Sequence, residues 1–487
     1  MAKSITIPAA TRGWNTVDSI AQMPVNQAFI LDNLIPSTSS VINRAGYSSW
    51  ATGIGVGNVD SIYELKAAAV NKFIAAGDGA FYDISTTGPG TLIKNGFTSN
   101  QWDEAVFNGQ LGLVNGNDDP QTYDGTTMSN MVVSGPADVT KINVISTFKN
   151  RTYFALVNSQ SFWYSALNTL GGVLTEFPLG RVGNFGGNLI AIQTLTRDGG
   201  TGQEDQICFF MSSGEIIVYQ GTDPGANFVL VGVFKTGRPI NSRSIIKFGA
   251  DIFFATNEGY LTMSDLLPLS YGKTNTALNQ YIKGAAVTAV TTFGSSFGWE
   301  AILSPSNSFL MVNVPQSNNT FIQHVVDINT LSWCRFTGIN ARCWYTFGND
   351  LYFGGTNGNV YKYGGTFTDD GSQINSIYQS GYIKFTSSVV RTTAFRPRLQ
   401  FDSSFTMGIQ SSIDFKPFSA IYTLNYGSVG AFWGDPWGTA WAAANAVVGY
   451  INLNNVGYST SIKLTFTSPA RIEFLETDFL FEKGSRI

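Results

Sequence analysis

A hairpin pattern that recurs along the chain is the feature that most constrains its fold. In residues 205–224, and again in residues 251–264, an apolar run is followed by a short polar turn with glycine and then by a second apolar run. Each copy is typical of two strands joined by a tight turn, in which Gly214 or Gly259 supplies the positive φ that the turn requires. Such a hairpin cannot bury both faces alone, so we expect the copies to pack against one another.

The pattern occurs seven times, at a spacing of roughly 40 to 55 residues that matches a four-stranded propeller blade. The seven units are residues 72–83, 110–125, 151–165, 205–224, 251–264, 308–327 and 350–363. Several units follow a short run that ends in phenylalanine and a turn, at Phe107, Phe148, Phe248 and Phe347, which indicates one more strand before the hairpin. We therefore predict an all-β fold with a β-propeller of about seven blades in residues 55–375. A β-solenoid competes with this fold, but the observed period is too long for it.

The segments on either side of the repeats have a different pattern. Residues 1–54 contain no repeat and predict an extended N-terminal arm, which either covers the open end of the propeller or clasps a neighbouring subunit. Residues 376–487 contain runs that alternate like half-buried strands and predict a C-terminal β-sandwich-like domain with a tryptophan-rich loop. One short helix is expected at residues 276–283, in the long insert between the fifth and sixth units.

Composition narrows the class of protein further. The chain has 487 residues and a net charge of −4, so it lacks the overall basic field that nucleic-acid-binding proteins usually carry. Its three cysteines, Cys208, Cys334 and Cys343, argue against a disulfide framework and are consistent with folding in the cytoplasm. Cys334 and Cys343 either pair or are two buried thiols on neighbouring strands. The N-terminus lacks an apolar core of signal-peptide length, and no run of about 18 apolar residues predicts a membrane-spanning helix.

Residues that could perform chemistry are few. His324 is the single histidine and lies in an apolar strand pattern, which favours a structural role over a catalytic one. Residues 115–119 resemble a calcium loop, but the downstream glutamate is missing, and a hairpin turn explains them better. Glu215 and Glu258 occupy equivalent turn positions, which repetition explains without catalysis. We therefore predict no enzymatic activity, no cofactor and no metal site.

Three tryptophans stand close together in the C-terminal part, at Trp433, Trp437 and Trp441. Aromatic faces of this kind stack on sugar rings, but the same spacing suits a loop that packs on its own domain or anchors an interface. Together with Trp14 and Arg44 of the arm, these tryptophans are our candidate interface residues.

The order of several motifs resembles the nozzle proteins of short-tailed bacteriophages and related prophages, which are also called tail hub or tail stabilisation proteins. The strongest match lies in the hairpins at residues 214–224 and 249–260, and in the run 231–239 between them. The other motifs, in chain order, are Gly13-Trp-Asn15, residues 27–36, Arg44-Ala-Gly-Tyr47, residues 114–116, residues 123–125, and the tryptophan-rich segment with Gly457 after it.

This resemblance implies a structural virion protein that is made in the host cytoplasm and located in the tail. Such proteins form a homohexameric ring below the head-to-tail adaptor, contact tail fibres or spikes, help retain packaged DNA and conduct it during ejection. For a channel that must release DNA, we expect a neutral to acidic wall, because each phosphate contact adds affinity. The alternatives are a propeller lectin or receptor-binding tail protein and a tail-borne glycanase with carboxylates at a propeller face.

Overall fold

The strands of the N-terminal segment pair with strands that are far away in the sequence. The computed structural model describes residues 2–67, 70–198, 203–266, 278–317, 319–426 and 449–483. The N-terminal segment contributes five strands: β1 (Lys3–Pro8), β2 (Ala28–Asp32), β3 (Leu34–Pro36), β4 (Val41–Asn43) and β5 (Tyr47–Thr52).

Seven groups of three or four antiparallel strands follow, and each is one blade of a β-propeller; blades 1 to 5 are separate sheets, whereas blades 6 and 7 belong to one larger sheet. Blade 1 contains β6 (Val59–Ala67), β7 (Val70–Gly77), β8 (Ala80–Asp83) and, after the short β9 (Gly88–Pro89), β10 (Thr91–Asn95). Blade 2 contains β11 (Asp103–Phe107), β12 (Gln110–Val114), β13 (Gln121–Tyr123) and β14 (Met128–Asn130), and the short β15 (Val133–Ser134) follows it. Blade 3 contains β16 (Ile142–Phe148), β17 (Arg151–Leu156), β18 (Ser161–Tyr164) and, after β19 (Gly172–Val173), β20 (Thr175–Pro178).

The remaining blades are built in the same way. Blade 4 contains β21 (Leu189–Asp198), β22 (Gln203–Met211), β23 (Glu215–Gln220) and β24 (Val229–Lys235), and blade 5 contains β25 (Ile245–Phe248), β26 (Asp251–Thr256) and β27 (Gly259–Thr262). Two helices, α1 (Met263–Leu266) and α2 (Lys283–Phe293), lie between blades 5 and 6. Blade 6 contains β28 (Glu300–Ser304), β29 (Phe309–Pro315), β30 (Phe321–Asp327) and β31 (Trp333–Phe336), and blade 7 begins with β32 (Cys343–Phe347), β33 (Asp350–Gly354) and β34 (Val360–Tyr363).

The outermost strand of blade 7 comes from the other end of the chain. Strand β5 pairs antiparallel with β34, and the register places Ala51 opposite Val360 and Tyr47 opposite Tyr363. The innermost strands of neighbouring blades contact one another around the whole ring, including β32 of blade 7 and β6 of blade 1. The propeller therefore has seven blades, as the repeats predicted, and an N-terminal strand completes its last blade.

Each repeated sequence unit forms the second and third strands of a blade, counted from the axis, and the phenylalanines at 107, 148, 248 and 347 each end an innermost strand. The turn after Phe107, for example, places Asn108 and Gly109 at φ values of 49° and 74°. In the second hairpin turn of blade 4, Gly214 has a φ of 92°, and an added Cβ would lie 2.4 Å from the carbonyl oxygen of Thr236. The glycines of the repeated turns therefore lie where the backbone has a positive φ or where a side chain would clash.

The C-terminal part is a β-sandwich that shares strands with the N-terminal segment. Its strands are β35 (Thr368–Asp369), β36 (Ser372–Ser380), β37 (Val390–Phe401), β38 (Phe405–Ile413), β39 (Tyr422–Tyr426), β40 (Ile451–Gly457), β41 (Thr460–Ser468) and β42 (Ile472–Lys483). One sheet has the order β3-β4-β42-β37-β40, and β1 also pairs with β42; the other sheet contains β2, β36, β41, β38 and β39. Aromatic side chains such as Tyr378, Phe466 and Phe474 pack between the two sheets.

The propeller and the sandwich form one continuous body. Strand β2 pairs with β36 of the sandwich and, through Asp32 and Arg335, with β31 of blade 6. One buried apolar cluster includes residues of both parts. The first 54 residues, expected as an extended arm, are therefore woven into the sandwich and the last blade, and the domain boundary expected at 375–376 lies within β36.

The predicted position of the helix was wrong. The described residues of the expected range, 278–282, form turns, and α2 begins at Lys283 and ends at Phe293. Its valines and threonines favour strands, which is why the sequence did not indicate it. The helix is stabilised instead by packing, because Ala286 and Ala289 are buried in the common core.

Candidate functional site

The axis of the propeller gathers a cluster of charged side chains. The innermost strands of blades 1, 2 and 6 bring Asp60, Glu64, Asp103, Glu104 and Glu300 towards the centre of the ring. The guanidinium groups that face them belong to Arg243 and Arg342, which precede the innermost strands of blades 5 and 7. Five carboxyl groups therefore share the axis with two permanent positive charges.

Arg243 braces the ring across its centre. Its guanidinium donates hydrogen bonds of 2.6 Å to the carbonyl oxygen of Asp60, 2.6 Å to Oγ of Ser61 and 2.9 Å to the carbonyl oxygen of Trp102. These acceptors belong to blades 1 and 2, whereas Arg243 belongs to blade 5. Because blade 5 is not a neighbour of either, the side chain must cross the axis, so this end of the channel is filled.

Arg342 completes the brace at the same end of the channel. Its Nε donates a 2.7 Å hydrogen bond to Oδ1 of Asp60, and both groups are buried. The ring of Phe297 lies between the two guanidinium groups, 4.5 Å from that of Arg342 and 5.6 Å from that of Arg243. Cation–π contacts of this kind gain strength where water is excluded.

The carboxyl groups behind this brace have raised pKa values. Burial raises the pKa of Glu104 to about 8, and the neighbouring Asp103 adds to the effect. Burial likewise raises the pKa of Asp103 to about 6, although the N–H of Ile145 donates to its Oδ2 at 3.0 Å. Burial raises the pKa of Glu300 to about 7 despite the nearby Arg243 and a 2.8 Å hydrogen bond from the N–H of Trp344. At neutral pH some of these carboxyl groups are therefore protonated, above all that of Glu104.

Glu104 has the least complete hydrogen bonding of these groups. Its Oε1 accepts a 3.2 Å hydrogen bond from the hydroxyl of Tyr345, and its buried Oε2 has no hydrogen-bond partner in the described part of the chain. A cavity of about 190 Å³ lies beside it and is lined by Asp103, Ser146, Gln193 and other residues of blades 2 to 4. This arrangement can hold a proton, but no group of three or more metal-ligating side chains occurs among the described residues.

Trp14 and Arg44, two of the candidate interface residues, are buried within the chain. Nε1 of Trp14 donates a 3.0 Å hydrogen bond to the carbonyl oxygen of Phe29, and its ring packs edge-on against His324 at 5.4 Å. The guanidinium of Arg335 lies 5.3 Å from the Trp14 ring centre. Trp14 thus joins the N-terminal segment to blade 6.

Arg44 makes a comparable internal joint. Its side chain is fully buried and forms two hydrogen bonds with the Asp369 carboxylate, at 2.8 and 2.6 Å. It also donates to Oδ1 of Asn33 at 2.8 Å and to the carbonyl oxygen of Thr337 at 3.0 Å. The contacts of both candidate residues are therefore intramolecular.

Trp433, Trp437 and Trp441 lie outside the described residues. Close to the points where the described chain stops and resumes, a groove of about 600 Å³ opens between β39 and β40 of the sandwich. Its lining includes Tyr422, Leu424, Tyr426, Tyr450 and Leu453. Tyr422 and Tyr450 are 56% and 44% exposed, so this groove presents aromatic faces to solvent.

His324 has the structural role that the sequence indicated. It is buried, and its Nδ1 lies 2.8 Å from the hydroxyl of Tyr260. Burial lowers the pKa of His324 to about 3, and the nearby Arg335 contributes to this shift. The imidazole is therefore neutral in the folded chain at physiological pH.

The apparent calcium loop is a turn with its own hydrogen bonds. Oδ1 of Asn115 accepts hydrogen bonds from the N–H groups of Asn117 and Asp118, and Asp118 accepts from Thr98 and Ser99 of the preceding loop. Glu215 is buried and accepts from the N–H groups of Asn184 and Phe185 at 2.8 and 2.9 Å. These carboxylates hold loops in place.

The three cysteines are buried free thiols in separate strands. Cys208 lies in β22 of blade 4, Cys334 in β31 of blade 6 and Cys343 in β32 of blade 7. Burial raises the pKa of each thiol, so none is activated as a nucleophile.

Sequence reasoning missed the axial cluster, although a signal for it was present. Asp60, Asp103, Glu104 and Glu300 all stand at or beside the start of an innermost strand. Acidic residues at the same position of several blades converge on the axis, because the innermost strands surround it. Glu215 and Glu258, the carboxylates that the repeat pattern singles out, lie at hairpin turns and not at the start of an innermost strand.

The comparisons with known proteins leave the family of this chain open. No family model and no curated protein matches the sequence. Solved structures with a similar fold include the computationally designed Ika8 protein, at 11% identity and a TM-score of 0.38, covering 65% of this chain and 99% of that one. BBS1N in complex with ARL6DN has 10% identity and a TM-score of 0.40, covering 66% and 96% of the two chains. Sqt1 of Saccharomyces cerevisiae has 12% identity and a TM-score of 0.41, covering 67% and 86%.

These similarities are too low to carry an argument, so the propeller assignment rests on the strand pairing described above. No helix in the described ranges is long and apolar enough to cross a membrane.

Proposed function

We propose that this protein is a structural subunit of a short phage tail, the nozzle that extends the channel of the head-to-tail adaptor. The resemblance of its sequence motifs to nozzle proteins is the starting point. The main support for the proposal is the position of those motifs in the folded chain. Several of them form contacts between its parts.

The motif residues near the N-terminus are required by backbone packing. Gly13 has a φ of 78°, and an added Cβ would lie 2.4 Å from the carbonyl oxygen of Trp333 in blade 6. An added Cβ on Gly46 would lie 2.0 Å from the carbonyl oxygen of Thr368. Trp14 and Arg44 lock the same two places, as described above. The motifs thus lie where the N-terminal segment joins blade 6 and the sandwich, which supports a structural role for them.

In the proposed ring the channel for DNA lies between copies of the chain. The propeller axis cannot serve, because Arg243 and Arg342 fill one end of it. We propose six copies around a common axis, contacts to adaptor and fibre or spike proteins, and a neutral to acidic lumen wall. The net charge of −4 is compatible with such a wall, because weak phosphate contacts allow DNA to leave. This role requires no catalysed reaction.

Purified particles produced from the genome that encodes this chain provide the test. Quantitative mass spectrometry should find the chain in the particle, and a cryo-EM reconstruction should place it in a six-fold ring at the end of the tail. Absence from the particle would contradict the tail assignment. A ring of another symmetry would contradict the hexamer, and a continuous basic lining would contradict the proposed lumen.

A second candidate function, glycan binding, is favoured by the exposed aromatic groove of the sandwich. Tyr422 and Tyr450 are exposed aromatic residues of the kind that stack on sugars, and the guanidinium of Arg396 lies 4.7 Å from the Tyr450 ring centre. A glycan array with the wild-type protein and the Tyr422→Ala and Tyr450→Ala variants tests this function. Tyr458→Ala is the matched control, because Tyr458 is 55% exposed and does not line the groove. Binding that only the groove variants lose would support a lectin.

A further inference from the structure

Glu104 lies where the propeller ring closes. The first and last blades meet where β32 of blade 7 contacts β6 of blade 1, and β11 of blade 2 follows. We call the contacts among these three strands the closing seam. Glu104 belongs to β11, yet its carboxyl group accepts a hydrogen bond from Tyr345 of β32. One side chain therefore connects blades 2 and 7 across the strand that lies between them.

The groups that face Glu104 come from every element around the seam. Asp103 precedes it on the same strand, Glu64 and Tyr63 lie on β6, and Tyr345 lies on β32. Arg243, which interacts with the neighbouring Asp103 and Tyr63, donates its hydrogen bonds to the carbonyl oxygens of Asp60 and Trp102 and to Ser61.

An ionised Glu104 would be poorly accommodated in this setting. Its buried Oε2 has no hydrogen-bond donor among the described residues, and two further carboxyl groups, Asp103 and Glu64, lie nearby. Burying a carboxylate without donors costs far more free energy than burying the neutral acid. The protonated acid avoids this penalty, and the cost of burial outweighs the hydrogen bond from Tyr345, which by itself favours the ionised form.

We propose that Glu104 is a pH-sensitive latch of the propeller, which holds the closing seam together when protonated and loosens it when ionised. This inference concerns the fold of the single chain and is independent of the proposed tail function.

The direction of the pH effect follows from the shift of Glu104. Its pKa is higher in the folded chain, at about 8, than in an unfolded chain, at about 4.3. The folded state therefore binds more protons between these values, and stability falls as the pH rises through this range. Above about pH 8 the loss is complete. Asp103 and Glu300, with pKa values raised to about 6 and about 7, add losses that end at lower pH.

The test is the thermal unfolding of the full chain between about pH 6 and about pH 9.5, for the wild type and for Glu104→Gln. The amide keeps the size of the protonated acid but cannot ionise. We expect the wild-type Tm to fall from about pH 6 to about pH 8 and then to level off, and the variant to lose the part of this fall that Glu104 contributes, most clearly between about pH 7 and about pH 8. At the alkaline end the variant should melt a few degrees above the wild type. Glu176→Gln, at an exposed carboxyl on β20, should follow the wild type.

Two further measurements on the same samples locate the effect. Compared at the same alkaline pH, hydrogen exchange should be faster in β32, β6 and β11 of the wild type than in Glu104→Gln, with no such difference near neutral pH. An infrared difference spectrum of the wild type should show a protonated-carboxyl band that is lost between about pH 7.5 and about pH 9.5, above the pKa values of Asp103 and Glu300. This second measurement needs no variant, so it stands even if Glu104→Gln fails to fold. Equal pH profiles of wild type and Glu104→Gln, or the absence of that band, would overturn the proposal.

Discussion

Arg44 and Asp369 form a buried ion pair with two parallel hydrogen bonds although they are 325 residues apart in sequence. The pair connects the turn before β5, which completes blade 7, to β35 at the start of the sandwich. Asn33 and Thr337 accept further hydrogen bonds from the same guanidinium group. One arginine therefore holds together the N-terminal segment, the last blades and the sandwich.

We expect Arg44→Ala to lower the stability of the chain by about 3–5 kcal/mol, because the Asp369 carboxylate and the Asn33 side chain lose their buried partner. Urea unfolding followed by tryptophan fluorescence measures this change. Arg471→Ala is the control, since the side chain of Arg471 is 47% exposed and its pair with Glu473 should contribute at most about 1 kcal/mol. An equal loss in both variants would show that the buried joint has no special role.

Gly46→Ala tests whether the close approach of the chain to Thr368 is required. An added methyl group would lie 2.0 Å from the backbone oxygen of Thr368, so the backbone must shift. We expect a loss of about 1–3 kcal/mol, measured by the same urea titration. Gly57→Ala is a matched control, because nothing lies within 4 Å of its added Cβ. A Gly46→Ala chain as stable as Gly57→Ala would contradict the packing described here.

Because the pKa of His324 is lowered in the folded chain, we expect the chain to lose stability in acid. Its pKa is about 3 in the folded chain and about 6.5 in an unfolded chain, so the unfolded state binds the extra proton between these values. Stability that this residue contributes above about pH 6.5 is therefore lost as the pH falls towards 3, by at most about 1.4 kcal/mol per pH unit. His324→Gln should unfold with a weaker dependence on pH in this range. The comparison must use the difference between variant and wild type, because the axial carboxyls act in the opposite direction.

Arg243→Ala removes the brace across the propeller axis. Three acceptors in blades 1 and 2 lose their donor, and we expect a destabilisation of about 2–4 kcal/mol, since each buried acceptor left without a partner costs about 1–3 kcal/mol. Arg243→Lys should recover part of the loss by restoring a positive charge with fewer hydrogen bonds. Lys235→Ala, whose charged group is exposed on β24, provides the comparison. If Arg243→Ala and Lys235→Ala unfold at the same urea concentration, the brace is not a determinant of stability.

Local patterns predicted the propeller well because each blade is built from neighbouring residues. The hairpin turns at residues 108–109 and at Gly214 were visible in the sequence, since only a few residue types accept a positive φ there. The tight spacing of apolar runs then indicated strands of blade length. Helix α2 escaped prediction because its stability comes from burial of Ala286 and Ala289 and not from intrinsic helix propensity.

The role of individual polar residues was harder to predict, because it depends on partners in distant blades. Trp14 and Arg44 were expected at an interface with another protein, yet both make internal joints. No sequence pattern indicates a role for Glu104. Its pKa is nevertheless the most strongly shifted among the axial carboxyl groups, and Glu104 interacts with Tyr345 and Asp103. Neither outcome can be deduced from residue type or from local spacing.

The amino-acid sequence by itself determined the seven repeated hairpins and the positions of their turns, because backbone sterics and apolar alternation act over a few residues. Only the tertiary structure decided that β5 completes blade 7, that Arg44 reaches Asp369 and that carboxyl groups of several blades converge on one axis. These features depend on contacts between residues tens to hundreds of positions apart. Such contacts exist only in the folded chain, since closure of the ring brings the two ends of the propeller together.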